Sequence, residues 1–241
     1  MKSGLSCYTC VGVLLFCVAL VSAQEVTVTA RVALLKGTKV AHSQAQNVVL
    51  WLTPVGNQPL VSASPADVEK PRLTQHGKRF SPHVLVVPVG AVVAFPNRDP
   101  FFHNVFSLFE GKRFDLGLYE AGTTRDVRFD KPGISYIFCN IHAEMSAVVI
   151  ALETPYFGVS NQRGEIIIPH VPVGRYNLRI WDEVAVPETL NAMTREITIS
   201  EDTSTLGVFR LPEVASQRGH KNKYGRDYDP PAPDNPVYVH P

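Results

Sequence analysis

Residues 134–152 read Ile-Ser-Tyr-Ile-Phe-Cys-Asn-Ile-His-Ala-Glu-Met-Ser-Ala-Val-Val-Ile-Ala-Leu. Two apolar runs, Ile134 to Phe138 and Ala147 to Leu152, flank a heptad that opens on Cys139, passes through His142 and closes on Met145. The runs read as short strands and the heptad as the loop between them. Three chain steps span at most about 10 Å, so one short loop can bring all three side chains to a common point. A thiolate, an imidazole and a thioether, joined by a second imidazole, form the donor set of a mononuclear copper electron-transfer site. His103, in Pro-Phe-Phe-His-Asn-Val-Phe-Ser, is placed to supply that imidazole from another strand.

Cysteine usage sharpens this reading. Of the four cysteines, Cys7, Cys10 and Cys17 lie in residues 1–23, which hold Lys2, an apolar run from Val11 to Val21 and small residues up to Ala23. That pattern is expected of a secretory signal peptide cleaved after Ala23. Its apolar run is shorter than the roughly 18 residues of a membrane span, although retention as an anchor stays open. The remainder keeps Cys139 alone, with no disulfide partner in an oxidising compartment. A bland buried cysteine is the plain alternative, and it leaves His and Met at +3 and +6 unexplained.

Lys2 is the only charged side chain in residues 1–23, so beyond them basic and acidic side chains balance. That balance gives no electrostatic basis for binding nucleic acid or an anionic membrane, and no membrane span is expected after cleavage. Nineteen prolines and short β-branched and aromatic runs favour an all-β fold. Strands are expected over 83–89, 91–95, 103–109, 125–129, 134–138 and 147–152, with turns at Pro96 to Pro100 and Lys131 to Gly133. Short strands with frequent turns suggest a β-sandwich, with its candidate ligands at strand ends and loops.

Phe80 to Asp99 (FSPHVLVVPVGAVVAFPNRD), His103-Asn104-Val105, the Pro132-Gly133 turn and Cys139 to Met145 together resemble a small cupredoxin of the plastocyanin and amicyanin type. The loop spacing is most similar to that of amicyanin. The resemblance covers about 80 residues (70–152) and implies a Greek-key sandwich with one type 1 copper held by His103, Cys139, His142 and Met145. It also implies that Asn104 ties the His103 strand to the Cys139 loop, the kind of outer contact that can be worth 10–100-fold in affinity or activity. In that family the C-terminal histidine ligand is the electron port. Here that is His142, with Ile141, Ala143, Phe101 and Phe102 as a surrounding apolar patch where an unidentified redox protein would dock; core packing of the two phenylalanines is the alternative.

Zinc would accept one cysteine and two histidines but gain nothing from Met145. A binuclear copper centre needs a second loop cysteine, which residues 140–144 lack, and no His-Cys-His motif of a multicopper oxidase is present. A Cys139–His142 nucleophilic pair would need an orienting third group. No catalytic role is therefore expected.

Residues 153–213 carry a second pattern: a turn at Gly164, strands over 166–168 and 175–181 joined by Val171-Pro172-Val173-Gly174, and further strands near 195–199 and 205–211. They resemble the transthyretin-like sandwich of carboxypeptidase regulatory domains. That family opens with two strands, which fit residues 26–35 and 47–53 around Gly37. The expected organisation is therefore a small sandwich from 24–58 and 153–213, a cupredoxin domain at 70–152 inserted as a loop, and a flexible Pro-containing tail at 214–241. The expected function is a periplasmic, or otherwise exported, one-electron carrier; the alternative is a non-redox copper protein for storage, delivery or sensing.

Overall fold

The computed structural model describes residues 24–40, 45–56, 69–108, 110–213 and 220–228. The expected signal segment at 1–23 lies outside them. Among the described residues the chain is all-β apart from one short helix, and its strands stack as four layers with three apolar seams between them.

Strands β1 (Glu25–Lys36), β2 (Lys39–Val40) and β3 (Val49–Pro54) come first. A middle group follows: β4 (Thr74–His76), β5 (Arg79–Ser81), β6 (Val84–Pro88), β7 (Val92–Pro96), β8 (His103–Ser107), β9 (Phe114–Tyr119), β10 (Thr124–Arg128), β11 (Gly133–Cys139) and β12 (Ser146–Leu152). The last group is β13 (Phe157–Val159), β14 (Glu165–Pro172), β15 (Gly174–Trp181), helix α1 (Pro187–Met193), β16 (Arg195–Ile199) and β17 (Thr205–Pro212).

The middle strands form a five-stranded sheet in the order β6-β12-β11-β8-β9, faced by the short ladders β10-β7 and β4-β5. Val87, Val93, Phe95, Val105, Phe129, Ile137 and Val149 fill the space between them. The outer strands form two further sheets, β14-β1-β17 and β13-β3-β15-β16, closed over Val28, Leu50, Leu52, Ile166, Ile168, Tyr176, Leu178 and Phe209. Strand β1 thus pairs with β14 and β17, and β3 with β13 and β15, across about 110 to 180 residues of chain (roughly, by the register).

Strand β12 explains how the two pairs of sheets join. It is apolar without alternation, and all but its first residue are buried, because both of its faces are covered. Ala147, Val149 and Ala151 face the middle sandwich. Val148, Ile150 and Leu152 face Val49, Trp51, Phe157 and Trp181 of the neighbouring sheet. At the rim of this seam, His83 lies 2.6 Å from Glu183. Helix α1 buries none of its side chains and has no candidate ligand. No helix among the described residues is long and apolar enough to cross a membrane.

Strands β2, β4, β5, β9 and β13 and helix α1 were not expected from the sequence. β9 contains Gly117 at positive φ, which breaks the β-branched pattern used to find strands. Of the tail expected to be flexible, residues 214–219 and 229–241 lie outside the described residues. Residues 220–228 do not run free but lie against the loop between β11 and β12.

Candidate metal centre

The loop 139–145 is a hairpin connection pinned at its base. Phe138 pairs with Ser146 across β11 and β12, and the Cys139 amide donates to the Met145 carbonyl at 3.1 Å. Inside the loop the Met145 amide donates to the His142 carbonyl, also at 3.1 Å. Strand β8 runs antiparallel to β11, with Val105 opposite Cys139, so His103 at the start of β8 faces the same end of the sheet. The Asn140 amide donates to the Asn104 carbonyl at 2.8 Å and fastens the loop to β8.

This brings His103, Cys139 and His142 together. Their donor atoms all lie within 4.8 Å of one another, and they are the one such cluster found among the described residues. Cys139 Sγ is 3.6 Å from His103 Nδ1 and 3.5 Å from His142 Nδ1. Zinc-like bonds of roughly 2.0–2.3 Å to nitrogen and thiolate, set trigonally, would separate donors by roughly 3.8 Å. The donors therefore surround a point of suitable size without large rearrangement, and the set of thiolate plus imidazoles suits copper. Met145 is fully buried in the same apolar cluster as Cys139, and its backbone closes the loop. Phe101 packs beside both imidazoles, with ring centroids 5.3 Å from His103 and 5.6 Å from His142. Ile141, His142 and Ala143 are half-buried, and Phe102 is exposed.

Electrostatics favour metal-ready imidazoles. Burial lowers the pKa of His103, against its hydrogen bond to Asp99. Burial, with His103 and Lys78 nearby, pushes His142 down to about 4. Both rings are thus neutral near pH 7 and offer lone pairs. Burial raises the Cys139 thiol, while backbone N–H groups of Ile141, Asn104 and His142 work against that rise. A bound cation would displace this proton and become the thiolate's main partner.

Asn104 touches the Cys139 loop through its main chain rather than its side chain. Its backbone makes the tie to the Cys139 loop, whereas its side-chain Nδ2 donates to Asp115 at 2.7 Å. Two features escaped sequence reading. Asp99, a turn residue by pattern, is buried and lies 2.9 Å from His103 Nε2. The segment 220–228 covers the loop: Tyr228 Oη donates to the Cys139 carbonyl, the Lys223 amide to Asn140 Oδ1 at 2.9 Å, and the His220 ring stacks on Phe138 at 4.2 Å. The one signal for the first was a carboxylate four residues before His103, which reads equally as an ordinary turn residue. Nothing local marked the second.

No family model matches the chain, and no curated protein does. Solved structures offer partial likenesses. A purple cupredoxin from Nitrosopumilus maritimus is 23% identical, covering 34% of this chain and 99% of that one, with TM-score 0.32. A copper-containing nitrite reductase from Thermus scotoductus SA-01 is 26% identical, covering 42% of this chain and 25% of that one, with TM-score 0.35. A reduced amicyanin mutant is 22% identical, covering 39% of this chain and 97% of that one, with TM-score 0.32.

Proposed function

We propose that the protein is an exported one-electron carrier with a single type 1 copper held by His103, Cys139, His142 and Met145. The observation that carries this reading is the convergence of two imidazole Nδ1 atoms on the buried Cys139 sulfur, at 3.5 and 3.6 Å. When bound, copper supplies a Cu(II)/Cu(I) couple whose potential is tuned by axial ligand and surroundings. The protein holds the donors in one arrangement through backbone ties at both ends of the loop, so little moves as the charge changes.

Electrons enter or leave at the half-buried edge of His142, beside Ile141, Ala143, Phe101 and Phe102, where a redox protein docks. The notch lined by Pro100, Phe101, Phe102, Glu120 and Ala121 lies next to this edge. Small redox encounters use interfaces at the low end of the size range. Residues 70–152 form the cupredoxin unit, and 24–58 with 153–213 form a transthyretin-like sandwich that acts as a scaffold. The pairing of β1 with β14 and of β3 with β15 supports that division.

A non-redox copper carrier is the alternative. Voltammetry run alongside Cu(I) capture by a chelator separates the two. A reversible one-electron wave with metal retained over many cycles supports the electron carrier. Cu(I) handed to the chelator faster than electrons are exchanged turns the function to copper delivery.

A further inference from the structure

We propose that Asp99 is the positioning residue of this centre: its carboxylate fixes His103 as the Nε2–H tautomer, and its buried negative charge favours Cu(II) over Cu(I). This rests on the copper reading above. The couple concerned is Cu(II) plus one electron giving Cu(I), the electron coming from a one-electron donor protein.

The geometry is specific. His103 is fully buried and Asp99 nearly so. His103 Nε2 sits 2.9 Å from Asp99 Oδ2, which accepts, so the ring proton lies on Nε2 and Nδ1 is left bare toward Cys139 Sγ. The carboxylate is itself held from the opposite side. It accepts from the Gly77 amide at 2.6 Å and the Lys78 amide at 3.0 Å, both in the turn between β4 and β5. Its own loop is locked by Asn97, whose Oδ1 accepts from the Asp99 amide at 3.0 Å and whose Nδ2 donates to the Phe101 carbonyl at 2.8 Å. Asp99 therefore cannot follow the ring; the ring must follow Asp99. Among the described residues His142 has no such carboxylate on its ring, so the two imidazoles are built unequally.

The consequence follows from charge. A metal-bound imidazole that donates to a carboxylate is a stronger donor of electrons, and such outer partners carry 10–100-fold in affinity or activity. A fixed negative charge behind the ligand stabilises a dication more than a monocation, and burial weakens solvent screening of the difference. Lys78, whose Nζ lies over Phe101, offsets part of this field and none of the tautomer lock.

The test compares the wild type with Asp99→Asn, using Cu(II) and Cu(I) binding and the reduction potential as readouts. The expected result is a loss of Cu(II) affinity of about 10–100-fold with a smaller loss for Cu(I). Each tenfold difference raises the potential by about 59 mV. Equal losses in both states, or an unchanged potential, overturn the proposal. Should Asp99→Asn not fold, 15N spectra of histidine-labelled, metal-free wild type decide the matter: Nε2–H on His103 is expected, and Nδ1–H contradicts it. A wild type with no thiolate-to-copper band would sink the copper reading and this inference together. A normal band with an unmoved potential in Asp99→Asn sinks this inference alone.

Discussion

Tyr228 Oη donates to the backbone carbonyl of Cys139 at 2.5 Å, across 89 residues of chain. With Lys223 on Asn140 and His220 on Phe138, this contact makes residues 220–228 a brace on the loop that carries three of the four proposed ligands. The brace is anchored away from the loop as well, by Lys223 Nζ on Asp115 at 2.8 Å.

Removing the brace should loosen the loop. Tyr228→Phe deletes the hydrogen bond to the Cys139 carbonyl, worth about 0.5–1.5 kcal/mol, which corresponds to roughly two- to tenfold faster metal loss, and it also removes the 3.2 Å contact with His220 Nδ1. A chain ending at residue 213 should lose metal faster still. Stopped-flow chelator competition measures both rates, and rates equal to wild type would show that the brace is only apposed to the loop.

Opening the His142 corner should make room for an external ligand. His142→Gly should lose the thiolate-to-copper band or shift it strongly, and added imidazole should restore it. A band unaffected by the substitution would remove His142 from the ligand set.

The seam between the two pairs of sheets should respond to pH through His83. Its pKa is raised chiefly by the hydrogen bond it donates to Glu183, with burial opposing. A raised folded pKa means the pair's contribution is fully present below the unfolded value of about 6.5 and fades as pH climbs through the folded one. The stability gap between wild type and Glu183→Gln should therefore be widest at pH 5–6, a window of about one unit below that value, and narrow on the alkaline side. Urea unfolding across that range checks it, and a gap growing with pH would reverse the sign of the argument.

The joint between β1 and β14 should be intolerant of even a methyl group at Gly164. This residue has φ +74°, and an added Cβ would stand 2.2 Å from the Val32 carbonyl oxygen. Gly164→Ala should destabilise by about 1–3 kcal/mol from backbone strain alone, with the steric clash added. A denaturant midpoint equal to wild type would show that the β1–β14 edge yields easily.

What could be read in advance follows the range of the interactions. Cys139, His142 and Met145 sit within one loop, so their spacing could be read as a donor set without any knowledge of the fold. The unbroken apolar run of β12 signalled a strand, but its meaning, two covered faces, needed the neighbouring sheet. Asp99 was hidden by chemistry, because Asp in Pro96-Asn97-Arg98-Asp99-Pro100 is what a turn ordinarily contains. Residues 220–228 were hidden by distance. They are polar and aperiodic, and their contacts with Phe138, Cys139 and Asn140 have no local signature. Asn104 shows a further limit: residue type does not tell that its backbone makes the tie to the loop while its side chain turns to Asp115.

The most direct measurement is the visible spectrum of residues 24–241 titrated with Cu(II), then reduced with ascorbate and reoxidised in air. A single copper on the Cys139 thiolate should give an intense thiolate-to-copper band that saturates at about one equivalent, bleaches on reduction and returns on reoxidation. A weak d–d spectrum only, or a band that needs more than one equivalent, would contradict a single copper held by Cys139 between His103 and His142.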